Sequence, residues 1–74
     1  MDFILITFNY GKSNSVDMKI PAFMPAGEFI DIMCQIFGVS GDALQAEPLG
    51  IVLDGQLSFA DQQVEHGAVL TLHS

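Results

Sequence analysis

The chain has 74 residues, of which 50% are hydrophobic and 15% charged, and nine acids against two lysines give a formal net charge of −7. A chain this short makes one domain, residues 1–74, and buries only roughly 60% of its unfolded surface. Its charge argues against nucleic acid, whose phosphates require clustered Lys or Arg, and against a bare anionic bilayer. A basic protein surface is the better partner, although scattered acids also serve plain solubility.

Phe3 to Phe8 is short, apolar and rich in β-formers, which predicts a strand. Asn9 to Asn14 is turn chemistry, and Ser15 to Ile20 then alternates strictly. Val16, Met18 and Ile20 face one way and Asp17 and Lys19 the other, a half-buried strand that Pro21 ends. Pro25 suits a first helical turn, and Glu28 to Phe37 is the one clear helix. Its polar stripe is Glu28, Asp31 and Gln35, and its apolar face is Phe29, Ile30, Met33, Ile36 and Phe37. Gly38 is a suitable residue to close it.

Val39 to Pro48 reads as loop, with a helical turn at Asp42 to Leu44. Leu49 to Leu53 reads as a third strand, Asp54-Gly55 as a hairpin turn and Gln56-Leu57 as the start of a short fourth. Ser58 to Gln62 has room for a single 3₁₀ turn, and the last strand begins at Gly67. The order is β-β-α-β-β-β, an α+β chain in which one helix covers a mixed sheet of four to five strands. Its first and last strands are expected to lie side by side and parallel, which is the β-grasp arrangement.

No constellation of catalytic residues emerges. A structural metal needs three or four ligands at suitable spacing, and His66 and His73 with Glu65 do not supply them, so no metal and no cofactor is expected. Cys34 has Met33 and Gln35 as neighbours, not a base or a cation, and reads as a small apolar side chain at the core margin. Gly38-Val39-Ser40-Gly41 lacks the lysine of a phosphate loop, and no pair of acids is marked out for acid-base work. The chain is read as a non-enzyme. A single cysteine forms no internal disulfide and fits a reducing cytoplasm. The start, Met1-Asp2-Phe3-Ile4, lacks the basic region of a signal peptide, and no apolar run approaches the ~20 residues of a membrane span.

Surplus apolar residues point to a binding surface. With Ile4, Ile6 and Phe8 turned inward, Phe3 and Leu5 project from the outer sheet face. Ile51 and Leu53 are expected to point in and Val52 out; Leu70 and Leu72 in, and Val69, Thr71 and His73 out. Leu5, Val52 and Val69 then form one candidate docking patch. Phe23 and Met24 beside Ile32, at the helix start, form a second. A homodimer is an alternative use of such a patch.

The run Ile4-Leu5-Ile6-Thr7-Phe8, then Val16-Asp17-Met18-Lys19-Ile20-Pro21-Ala22-Phe23-Met24-Pro25, then the apolar helix, resembles the YukD/EsaB family. Asp54-Gly55-Gln56-Leu57 and Gly67-Ala68-Val69-Leu70 are similar too, so the resemblance spans nearly the whole chain. Members are small ubiquitin-like accessory proteins of the type VII (ESX-type) secretion systems of Gram-positive bacteria. The resemblance implies a ubiquitin-like fold and a cytoplasmic, non-catalytic adaptor, peripheral to the membrane only through a protein. Its implied partners are the cytoplasmic portions of the machinery, the pseudokinase-like component and the FtsK-like ATPase. Covalent modifiers and sulfur carriers of this fold need a bare diglycine terminus, whereas this chain ends Leu72-His73-Ser74. Reversible docking is therefore the expectation. The alternatives are another β-grasp scaffold module and a covalent carrier that would need a processed glycine terminus.

Overall fold

The computed structural model describes residues 2–74. The elements are β1 (Phe3–Asn9), β2 (Ser15–Pro21), α1 (Ala26–Phe37), β3 (Ala43–Glu47), β4 (Ile51–Val52) and β5 (Ala68–His73). They form a five-stranded sheet in the order β2-β1-β5-β3-β4. β1 and β5 run parallel, with Thr7 opposite Val69, and the other pairings are antiparallel. A mixed sheet with one helix on one face is the β-grasp architecture read from the sequence.

The first hairpin follows its pattern. Ile4, Ile6 and Phe8 are buried on the helix side, while Phe3 and Leu5 are exposed. Leu70 is fully buried in β5, and Val69 and Thr71 alternate with it at half exposure. Between sheet and helix runs a line of aromatic rings. Phe29 meets Phe8 edge-on at 5.2 Å and Phe59 edge-on at 5.5 Å, and Tyr10 stacks on Phe37 at 4.1 Å. The two edge-on contacts place the electron-poor edge of one ring against the electron-rich face of the other.

The helix starts without a side-chain cap, at Pro25. Its orphan amides are satisfied by a loop instead: Ala26 N–H donates to Leu57 O at 3.0 Å and Gly27 N–H to Gly55 O at 2.9 Å. Gln62 holds that loop in place. Its Oε1 accepts the Asp54 N–H at 2.7 Å, and its Nε2 donates to the carbonyls of Asp54, Leu57 and Ser58. At the other end Gly38 adopts φ 66°, the left-handed closing conformation that glycine tolerates best.

Four local expectations are corrected. Residues 43–47, read as loop with a helical turn, are the strand β3, with Leu44 and Ala46 fully buried. Ala, Leu, Gln and Glu favour helix locally, but pairing with β5 over Ala43 to Glu47 overrides that preference. The strand expected over 49–53 shrinks to Ile51–Val52, because Gly50 turns the chain, and Ile51 is exposed rather than inward; Leu53 is buried as expected. Asp54-Gly55 makes no hairpin, and Gln56-Leu57 is not a strand. The Asp54 carboxylate accepts the Gln56 N–H at 2.9 Å, and the turn serves the helix cap. Ile36, assigned to the apolar helix face, is 64% exposed, because the covered stripe is Ala26, Phe29, Ile30 and Met33.

Candidate docking surface

The outer sheet face is built from odd-numbered residues of β1 and β2 and their neighbours in β5 and β3. Its middle is polar. Thr7 donates to Asp17 at 2.6 Å, Asn9 to Thr71 at 3.4 Å and Gln45 to Glu47 at 2.9 Å. Leu5 is 56% exposed and lies one diagonal step from half-buried Val69. Val52 is exposed on edge strand β4. Gln45 sits opposite it, and Thr71 opposite Gln45, so two polar side chains separate Val52 from the apolar positions of β1 and β5. The structure therefore brings Leu5 and Val69 together and leaves Val52 apart.

In the second candidate group, Phe23 is 65% exposed, while Met24 and Ile32 are half-buried and packed against the core. The segment carrying Phe23 is held by Ala60 N–H donating to Ala22 O and Phe59 N–H donating to Met24 O. Phe23 is thus an exposed aromatic on a fixed backbone.

His66, weighed from the sequence only as a metal ligand and set aside, connects the two groups. Leu5 N–H points toward β5, but that strand does not begin until Ala68, and Gly67 turns the chain with φ 88°. The missing ladder acceptor is supplied by His66 Nδ1, which takes the Leu5 N–H at 3.0 Å, while Gly67 N–H donates to Leu5 O at 2.8 Å. Accepting at Nδ1 places the imidazole proton on Nε2, a donor at the surface. Three shallow grooves meet at this ring. One runs along Leu5, Thr7, Asp17 and Lys19, one along Ile4, Ala22, Phe23 and Val64, and one along Pro48, Leu49 and Glu65. The result is a saddle with exposed Leu5 on one flank, Phe23 on another and Leu49 on the third, and with Asp17 and Glu65 in its grooves. The expected parallel pairing of β1 with β5 was the available sequence signal: extended beyond Ile6 opposite Ala68, the register sets Gly67 opposite Leu5 and His66 opposite Ile4, within reach of the Leu5 amide.

The other chemistry-bearing residues stay dispersed. His66 precedes β5 and His73 ends it, and among the described residues no group of three or more His, Cys, Asp or Glu could hold a metal. Cys34 is half-buried on α1, its thiol 3.9 Å from Gly41 O. Among the described residues no helix is long and apolar enough to cross a membrane.

Residues 3–72 match the family described as "WXG100 protein secretion system (Wss), protein YukD". The chain belongs to the YukD family. A comparison with curated protein sequences gives no match. Among solved structures, the YukD-family chain is similar to the ubiquitin-like domain of the Mycobacterium tuberculosis type VII secretion system protein ECCD1. The two share 23% identity over 100% of both chains, with a TM-score of 0.68. It is also similar to the C-terminal ubiquitin-like domain of mouse tubulin-specific chaperone e, at 13% identity and TM-score 0.79 over 97% of this chain and 86% of that one. The ubiquitin of Caldiarchaeum subterraneum gives 14% identity and TM-score 0.70 over 97% and 95%. At these identities the likenesses establish the ubiquitin-like fold. Family membership adds that the chain is a secretion-associated ubiquitin-like module.

Proposed function

We propose that this YukD-family chain is a non-catalytic docking module of a type VII secretion system, and that the saddle around His66 is its contact surface. The observation that carries this reading is the exposure of Leu5 and Phe23, 56% and 65%, on either side of one ordered imidazole. Exposed aliphatic and aromatic side chains on a rigid backbone lose little conformational entropy on binding and act as anchors. Asp17, Glu65 and the net charge of −7 favour a partner that presents basic residues around an apolar contact. On this reading the partner is a cytoplasmic portion of the machinery, the pseudokinase-like component or the FtsK-like ATPase, and the chain works in the cytoplasm, at the membrane only through them; membership of a secretion-system family supports a partner of this kind.

The test is direct binding of the purified cytoplasmic portions of those two components to the wild-type chain, to Leu5→Asp/Phe23→Asp and to Val52→Asp. The double substitution is expected to weaken binding by about tenfold or more, while Val52→Asp leaves it near wild type. Equal binding by all three proteins refutes the saddle as the contact surface.

A further inference from the structure

Among the described residues β2 is an edge of the sheet, with β1 on one side and no strand on the other. Its hydrogen-bonding direction can be read at both ends of the hairpin. Ala22 N–H donates to Asp2 O, and Tyr10 N–H donates to Asn14 O. In this register even-numbered residues of β2 face β1, so the N–H groups of Ser15, Asp17 and Lys19 point outward from the edge. Such an edge is a template for another strand unless something blocks it. Here Asp17 and Lys19, both exposed and both on the outer face, flank half-buried Met18.

We infer that the occupant of this edge is a second copy of the same chain, joined β2 to β2, antiparallel, about a two-fold axis through Met18. That axis sets Asp17 of each copy opposite Lys19 of the other, giving two reciprocal opposite-charge pairs between directly facing residues. The backbone agrees, because Asp17 and Lys19 are both outward-pointing and so exchange main-chain hydrogen bonds as a pair. On the helix side Met18 meets its own copy, and Val16 meets Ile20. Pro21, which has no N–H to give, falls at the end of the ladder opposite Ser15. The charges also select the register. A slip of two residues one way places Asp17 opposite Asp17, and the other way Lys19 opposite Lys19, so both neighbouring registers put like charges face to face. Each copy carries −7, so general repulsion opposes association, and the reciprocal pairs are the local exception to it. The joined sheets place two outer faces side by side, presenting two saddles to one partner.

Sedimentation equilibrium of the wild-type chain should show a dimer with a dissociation constant below about 1 mM. Asp17→Lys or Lys19→Asp alone sets like charges opposite across both pairs and should weaken it by about tenfold or more. The double exchange Asp17→Lys/Lys19→Asp, which restores opposite charges, should recover it. An equimolar mixture of the two single variants should form a heterodimer. Circular dichroism of each variant establishes that it is folded. Amide hydrogen exchange at Asp17 and Lys19 should slow as the wild-type concentration rises. A monomer at all concentrations overturns the inference, as does a dimer indifferent to the charge exchanges or one that leaves those two amides unprotected. Dependence of edge protection on an added extended peptide, with no self-association, likewise overturns it in favour of a different occupant.

Discussion

Replacing Gly27 with alanine tests how the helix is started. A Cβ at that position would lie 2.9 Å from Gly55 O, 3.4 Å from Gly55 Cα and 3.5 Å from Gly55 C. All three are backbone atoms, and that carbonyl is the acceptor for Gly27's own N–H. The loop cannot retreat freely, because Gln62 binds it at Asp54 and Leu57. Alanine gains up to about 1 kcal/mol of helix propensity over glycine, and less in a first turn. Against that stands the Gly27–Gly55 hydrogen bond, whose loss costs about 1–3 kcal/mol when the donor is left without a partner. The balance is a loss of about 1–2 kcal/mol, a drop in melting temperature of roughly 4–16 °C at about 4–8 °C per kcal/mol for a domain of this size. Gly55→Ala is the control. Its Cβ would lie 3.4 Å from Gly27 Cα, at the edge of ordinary contact, and its backbone is not left-handed, so its effect should stay within about 0.5 kcal/mol. Thermal unfolding followed by circular dichroism reads both. A Gly27→Ala protein as stable as wild type, or more so, would refute the loop-capping argument.

Three further substitutions probe the loop, the core and the outer face of the helix. Gln62→Ala removes the side chain that binds Asp54, Leu57 and Ser58, and should lower stability by about 1–3 kcal/mol in urea unfolding. Phe29→Ala leaves a void between Phe8 and Phe59 and should remove about 3–5 kcal/mol, enough to populate the unfolded state of a small domain; near-ultraviolet circular dichroism reports the loss of packing. Ile36→Glu should change stability by no more than about 0.5 kcal/mol, because that side chain faces solvent; a cooperative loss of several kcal/mol would show that it is covered.

What the sequence revealed depended on where the pattern was local. β2 alternates Val16-Asp17-Met18-Lys19-Ile20, and the sheet reproduces that alternation, with Ile20 buried and Asp17 and Lys19 exposed. The helix was legible from its stripe, but Ile36 was not, because periodicity gives a direction and not the width of what covers it. β3 was hidden for a different reason. Ala43-Leu44-Gln45-Ala46-Glu47 is built of helix formers, and only pairing with β5 makes it a strand. Asp54-Gly55 carries a strong local turn signal, but the turn closes no hairpin. The same turn chemistry that closes a hairpin here turns a carbonyl toward Gly27. The candidate patches were legible as exposed apolar residues, and Leu5 and Phe23 are exposed. Their convergence on His66 was not, since it rests on a ladder bond between residues 61 positions apart.

Reversible contact through the saddle is tested most directly by a titration followed by backbone amide shifts. The chain carries the label, and the unlabelled cytoplasmic portion of the FtsK-like ATPase or of the pseudokinase-like component is added. Shifts concentrated at Leu5, Phe23, Glu65, His66 and Gly67, reversed when the partner is removed, are the predicted result. Shifts confined to the exposed face of α1, around Asp31, Gln35 and Ile36, or a covalent adduct in place of a reversible complex, would contradict it.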